Sequence, residues 1–402
     1  MKRGHLESNV LVLVTLALVA FGMVMVYSAT SASAAIGGGN PAYYLKRQGL
    51  YALLGLALLV VLSRWNYRRL RHVAPTLVLG SLFLLVLALA AGERVNGASR
   101  WIQLGGATFQ PSELAKVALA VWTALYLARR PVPRTLGELS KPIGLLTAVF
   151  CALVLAEPDL GTVIALCLMV GAMLLVAGAP IRMLSAAAAI AGTVVLFAIW
   201  LEPYRRTRIF SFLNPWHDAQ GAGYQTVQAM VGIGSGGPFG RGLGESVQKV
   251  FYLPEAHTDM IFAIIGEELG LVGATLVIAA YGAFAWAGLR IALRCHDPFG
   301  KALAAGITTL VCGQAALNLA AVVGMAPLTG IPLPLVSYGG TSLVVALASV
   351  GILLNIGRSD GVESAADVRD RRRRDGRTRD AGARRRAGAP RPRRERQLRR
   401  LA

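Results

Sequence analysis

Charge is scarce in this chain: Asp, Glu, Lys and Arg make up 15% of its 402 residues, against about 25% in an average soluble domain. Aromatic residues amount to 7%, there are 4 cysteines, and no long polar stretch occurs before residue 358. So few charges cannot clothe a water-soluble globule when 55% of the chain is AVILMFWYC, and that class is excluded. Cys151, Cys167 and Cys312 lie inside apolar runs and Cys295 between two of them, so no disulfide framework is implied. The 45 glycines and 18 prolines are spread through the apolar stretches. That distribution argues against collagen-like or coiled-coil assemblies and suits helices packed in lipid, where both residues are tolerated.

What is present is a series of apolar runs. A bilayer core needs about 20 apolar residues in a helix, and ten candidates fit: 9–29, 48–63, 74–92, 112–128, 143–156, 160–179, 183–201, 259–288, 300–325 and 335–357. The expected fold is an all-α polytopic membrane protein. The fifth run is short enough to be a re-entrant or internally buried segment. The first follows Lys2 and Arg3 and precedes Ser31-Ala32-Ser33-Ala34, which imitates a cleavage site, but it exceeds a signal-peptide apolar region and reads as an anchor. With both termini inside, the short inner segments carry 14 Lys/Arg ahead of the tail and the longer outer loops carry 10, the bias expected of cytoplasmic loops.

Three segments stand apart from the spans. Residues 93–111 and 202–258 make long external loops, the kind that usually carries function. Residues 358–402 hold 17 basic and 7 acidic groups, a net +10 that is half of the chain's +20. Such an Arg-rich segment has almost nothing to bury and reads as a disordered cytoplasmic tail that touches anionic inner-leaflet lipid; nucleic acid is not expected as a partner. The division of the chain is therefore a transmembrane body, 1–357, and the tail.

Ionisable groups in or beside spans are costly and become functional candidates. Arg100 and Trp101 precede Gln110-Pro111-Ser112-Glu113, with Lys116 three residues on. Pro111 suits a first helical turn, so Glu113 and Lys116 share a face and can pair. Glu157-Pro158-Asp159 is a turn in which Asp159 either caps the next helix or faces a site. His257 and Asp259 stand at the mouth of the eighth span, where the aspartate is either a cap or a general base. Glu267 and Glu268, about two turns deeper, read as structural. Gly232-Ile-Gly234-Ser-Gly236-Gly237 matches a dinucleotide fingerprint, but no strand or βαβ unit surrounds it, and it reads as a flexible re-entrant loop. The Pro- and Gly-broken run 324–340, which includes Ser337, is either a substrate-lining segment or a plain helix interruption.

Several of these stretches, taken in order, resemble the SEDS family (shape, elongation, division and sporulation proteins): Asn96-Gly-Ala-Ser-Arg-Trp-Ile, Gln110-Pro-Ser-Glu-Leu-Ala-Lys, Glu157-Pro-Asp-Leu-Gly-Thr, Tyr252-Leu-Pro-Glu-Ala-His-Thr-Asp, Gly266-Glu-Glu-Leu-Gly and Ile331-Pro-Leu-Pro-Leu-Val-Ser-Tyr-Gly-Gly. The likeness covers nearly all of 9–357 and is greater to the division branch than to the elongation branch. It implies a peptidoglycan glycosyltransferase of the bacterial cytoplasmic membrane that polymerises lipid II on the outer face, at the division septum, with a class B penicillin-binding protein and other division proteins as partners. Asp259 falls on the family's essential aspartate, Glu113 and Lys116 on an ion pair in a central cavity, and Trp101 on a functionally important tryptophan.

The chemistry so implied needs a base for the acceptor hydroxyl and cations for the departing undecaprenyl pyrophosphate. Asp259 would be the base. Arg100, Lys116, Arg205, Arg206 and Arg208 are the external cations, and a divalent ion, Mg2+ or Mn2+, could assist them; no cofactor is certain. Two rival readings remain open at this point: a flippase for lipid-linked precursor, and a scaffold that recruits division proteins without catalysis.

Overall fold

The structure, a computed structural model, describes residues 4–36, 40, 42–95, 98–105, 107–250 and 252–359. The Arg-rich tail beyond 359 lies outside them. Helices α1 (Gly4–Ile36), α2 (Tyr43–Arg64) and α3 (Leu70–Ala91) lead to a short antiparallel sheet, β1 (Glu93–Val95), β2 (Ala98–Leu104) and β3 (Ala107–Phe109). Then follow α4 (Pro111–Arg129), the single turn α5 (Leu136–Leu139), α6 (Leu145–Ala156), α7 (Leu160–Ala177) and α8 (Ile181–Leu201). Beyond them lie α9 (Pro203–Leu213), α10 (Tyr224–Gly236), α11 (Ile261–Arg294), α12 (Pro298–Val322) and the last helix, α13 (Gly340–Ser359).

Among the described residues, 9 helical segments are long and apolar enough to cross a membrane. The one expected span outside this set, the fourth (112–128), is α4, which has the length but carries Pro111, Ser112, Glu113 and Lys116 in its first turns. It is instead enclosed by protein, packed against α3, α7 and α12 with Lys116, Leu119 and Ala124 all buried. The fifth span proves longer than its apolar run: the helix enters at Leu136 and reaches Ala156, passing Lys141 through a π turn at Ser140–Gly144. The spans of α11, α12 and α13 are mostly buried, whereas those of α6 and α8 turn most of their residues outward.

One end of the bundle is closed by ion pairs. Asp297, the N-cap of α12, takes hydrogen bonds from Tyr67 (3.0 Å) and Arg71 (2.6 Å). Arg294 pairs with Glu7 on α1. Asn355 of α13 accepts from the Tyr67 amide and donates to the Ser63 carbonyl. These contacts tie α1 to α11, α3 to α12 and α2 to α13 at the end carrying the short Arg-rich loops.

The long segments at the other end are built, not loose. The first holds the sheet of β1, β2 and β3, and 202–258 contain α9, α10 and a 3-10 turn at Pro215–Asp218. The glycine-rich stretch expected to be a flexible loop starts inside α10, which holds Gly232, Gly234 and Gly236. The part that follows serves a break in α11. Gly270 has φ 65°, outside any helix, and a break at membrane depth must have its backbone groups satisfied from elsewhere. Leu271 and Val272 donate to the carbonyls of Gly237 and Pro238, while Arg241 and Gly242 donate to those of Glu267 and Glu268. Gly240 permits this approach: a Cβ there would lie 2.1 Å from the Glu268 carbonyl oxygen.

Side chains complete the lock. Glu267 accepts from the Ser246 hydroxyl and from the Val247 (3.0 Å) and Gln248 (3.3 Å) amides. Glu268 accepts from Ser28 on α1 (2.6 Å) and pairs with Lys249 (3.0 Å), all buried. Both carboxylates therefore fasten the loop that leads to Asp259, in keeping with the structural role expected of them.

Candidate active site

Asp259 sits just ahead of α11. The helix begins with Met260 as N-cap and no side chain caps it, so the alternative of Asp259 as a helix cap is not realised. Its Oδ1 faces the Thr258 hydroxyl at 3.3 Å, and a Cβ on Gly330 would lie 3.9 Å from Oδ2. Burial pushes the carboxyl up to about 6, and the nearby Glu255 charge adds to this; the Thr258 hydrogen bond and the Arg208 cation pull the other way. His257, two residues before, is held below its ordinary value by burial, against the pull of Glu255. A half-buried carboxylate that can still lose its proton near neutrality meets the requirements of a general base.

Asn318 fixes this aspartate in place. Its amide donates to the Asp259 carbonyl (2.7 Å) and to the Ile331 carbonyl (2.8 Å), joining the start of α11 to the Pro- and Gly-broken segment. Gln314, one turn away on the same face of α12, lines a small, largely apolar cavity into which Glu113, Lys116, Ser342 and Ser349 also face. Within it Lys116 and Glu113 form the expected pair at 2.8 Å, with Lys116 1% exposed. Sequence reasoning passed over both amides. The available signal was their i, i+4 spacing in an otherwise apolar helix.

The remaining candidates divide. Arg208, on α9, donates to the Leu328 carbonyl at 3.1 Å across the broken segment, and its field reaches Asp259. Arg100 latches the sheet to the α6–α7 turn, donating to the carbonyls of Glu157 (2.6 Å) and Pro158. Trp101 is half-buried on β2, opposite Glu93. Asp159 caps α7 through the Thr162 amide (3.0 Å) and hydroxyl (2.9 Å); the helix start it holds abuts Ile331, since a Cβ on Gly161 would lie 2.4 Å from that side chain. Ser337 turns inward, its hydroxyl accepting from the Leu333 amide at 2.8 Å. The Arg206 guanidinium lies 6.0 Å from the Trp200 ring centre. The Arg205 side chain falls outside the described residues. No three His, Cys, Asp or Glu side chains cluster as a metal centre among the described residues.

Residues 8–361 match the family of FtsW, RodA and SpoVE, described as cell cycle proteins. The chain belongs to this family. It is 44% identical over 350 residues to a probable peptidoglycan glycosyltransferase FtsW of Geobacter sulfurreducens, covering 86% of this chain and 94% of that protein. A relative of the same description in Escherichia coli is 41% identical over 359 residues, covering 87% of this chain and 86% of its own length. Among solved structures, a chain of a peptidoglycan synthase complex that coordinates polymerization and crosslinking matches with a TM-score of 0.73 and 32% identity, over 87% of this chain and 97% of that one. The rod shape determining protein RodA of Thermus thermophilus matches at 0.65 and 31%, over 87% and 96%. Family membership and the bundle agree: this is a multi-pass membrane protein of the fold shared by FtsW and RodA.

Proposed function

We propose that the chain is a peptidoglycan glycosyltransferase that polymerises lipid II, with Asp259 as its general base. The reading rests on one observation above others: a half-buried carboxyl raised to about 6 at the mouth of α11, in a family whose relatives carry that activity in their names. The N-acetylglucosamine 4-hydroxyl of the acceptor gives its proton to Asp259 as its oxygen attacks the anomeric carbon of the donor's muramyl unit. The bond from that carbon to the pyrophosphate breaks, and undecaprenyl pyrophosphate leaves with the electron pair. Displacement from the opposite face turns an α-linked donor into a β-1,4 glycan.

Arg208 is the candidate cation nearest this chemistry, and it stabilises charge growing on the leaving group in a water-poor cleft. A divalent ion bound to the pyrophosphate would offset the same charge; no step here depends on one. The solved complex that the chain resembles supports a penicillin-binding transpeptidase as partner. The bias of short Arg-rich loops supports termini in the cytoplasm and a site on the outer face of the inner membrane, and the likeness to FtsW relatives supports a place at the septum. The test is to purify the protein with its transpeptidase, supply lipid II, and measure glycan strands. Strands from the wild type and none from Asp259→Asn are expected; strands from both would remove Asp259 from the base role.

A further inference from the structure

Beside Asp259 lies a group of rings that the transfer step does not use. Tyr44 of α2, His257 of the loop before α11 and Tyr338 of the segment before α13 come from three separate parts of the chain. Ring centres lie 4.8 Å apart for Tyr44 and His257, 5.2 Å for Tyr44 and Tyr338, and 5.5 Å for His257 and Tyr338. Tyr43 adds an edge-on contact to Tyr44 at 5.4 Å. The backbone binds the group together: the Tyr338 amide donates to the His257 carbonyl (2.9 Å), and Gln48, one turn beyond Tyr44, donates to the Ser337 carbonyl (3.2 Å).

Tyr44, His257 and Tyr338 are half-buried and Tyr43 is exposed, so the rings are pinned yet keep open surface. A tyrosine that only anchors a span to the interface stands on its own helix. Here three elements spend their contacts on holding rings around His257, which is two residues from the reacting Asp259, so that the two Cα atoms lie at most about 7 Å apart. Burial lowers the His257 imidazole below its ordinary value, against the pull of Glu255, which disfavours the charged form and suits the ring to packing against an uncharged partner. The C–H faces of a pyranose are weakly positive and pack on the negative faces of such rings.

We propose that Tyr44, His257 and Tyr338 form a saccharide platform that seats a hexosamine ring of the disaccharide presenting its 4-hydroxyl to Asp259. The proposal rests on the glycosyl-transfer reading of Asp259. It makes these rings determinants of acceptor binding, separate from the proton transfer.

The test uses the full-length protein with its transpeptidase. Lipid II polymerisation kinetics are measured for Tyr44→Leu, Tyr338→Leu, Tyr44→Phe and Asp259→Asn. Equilibrium binding of a short-chain lipid II analogue is measured for Asp259→Asn with and without Tyr44→Leu. Each leucine variant is expected to raise KM roughly three- to tenfold with a smaller change in kcat, the size of a lost ring contact. Tyr44→Phe, which keeps the ring, should recover most of that loss, and Tyr44→Leu should weaken analogue binding to Asp259→Asn by a similar factor. An unchanged KM in a folded Tyr44→Leu protein, or equal losses in Tyr44→Phe and Tyr44→Leu, overturns the platform and leaves the transfer reading standing. Full activity of Asp259→Asn overturns the transfer reading itself. Should Tyr44→Leu fail to fold, Tyr338→Leu carries the same decision.

Discussion

An aspartate at a helix start ordinarily caps it, and a capping carboxylate is kept ionised by the backbone amides it accepts from. Asp159 does this and Asp259 does not, which is why two similar-looking turns differ in chemistry. A base raised to about 6 is protonated in acid and free above that value. The polymerisation rate should therefore rise with pH through about 6 and level off above it, in a profile recorded on detergent-purified complex. Asp259→Asn should lower kcat by at least about 10²-fold, the lower range for loss of a general base, while folding and partner binding persist. Glu157 poses the opposite case. It is fully buried, neither carboxylate oxygen accepts a hydrogen bond among the described residues, and burial with the neighbouring Asp159 charge pushes it up to about 8. The folded protein thus holds this proton where the unfolded chain has released it, so the contribution of Glu157 to stability falls as pH rises from the ordinary glutamate range to about 8. Thermal unfolding midpoints at pH 5 and 8 should show a smaller decline for Glu157→Gln than for the wild type. The residue motifs marked Asp259, Glu113 and Lys116 in advance. Asn318 stayed hidden because one amide in an apolar helix looks the same whether it packs, bridges helices or holds a catalytic loop.

At the scale of elements, apolar runs located the helices because lipid demands length and hydrophobicity together. They could not show that α4 is enclosed by protein, since its polar first turn resembles a helix end. Nor could they show the sheet of β1, β2 and β3, whose strands are short and apolar only in part, or the break at Gly270, whose partners lie some thirty residues earlier in sequence. The enclosure of α4 sets the energetics of its ion pair. With Lys116 1% exposed and Glu113 2.8 Å away, removing either charge leaves the other uncompensated, at about 3–5 kcal/mol for a buried pair. Glu113→Gln and Lys116→Met should each destabilise by that order. The double variant should cost less than their sum, with a coupling of about 0.5–3 kcal/mol in a cycle of unfolding free energies. Strict additivity would mean that the two side chains are not in contact.

Over the whole molecule, the two ends of the bundle do different work. One end is fastened by Asp297 with Tyr67 and Arg71, and by Glu7 with Arg294. The other carries the sheet, and there α9, α10 and the broken segment converge near Asp259 at the start of α11. The family match covers residues 8–361, and the Arg-rich remainder lies beyond it. Residues 358–402 carry 17 basic and 7 acidic groups, a composition expected to act through charge at a surface. Deleting residues 369–402 should therefore leave lipid II polymerisation in detergent nearly unchanged and alter membrane localisation or association instead. A peptide of the tail should bind anionic vesicles, and that binding should weaken steeply with salt, because the screening length shrinks from about 10 Å at 0.1 M to about 3 Å at 1 M. Loss of catalysis in a truncated but folded and partner-bound enzyme would place the tail in contact with the catalytic body. The separation of a membrane-embedded catalyst from a peripheral basic extension would then fail.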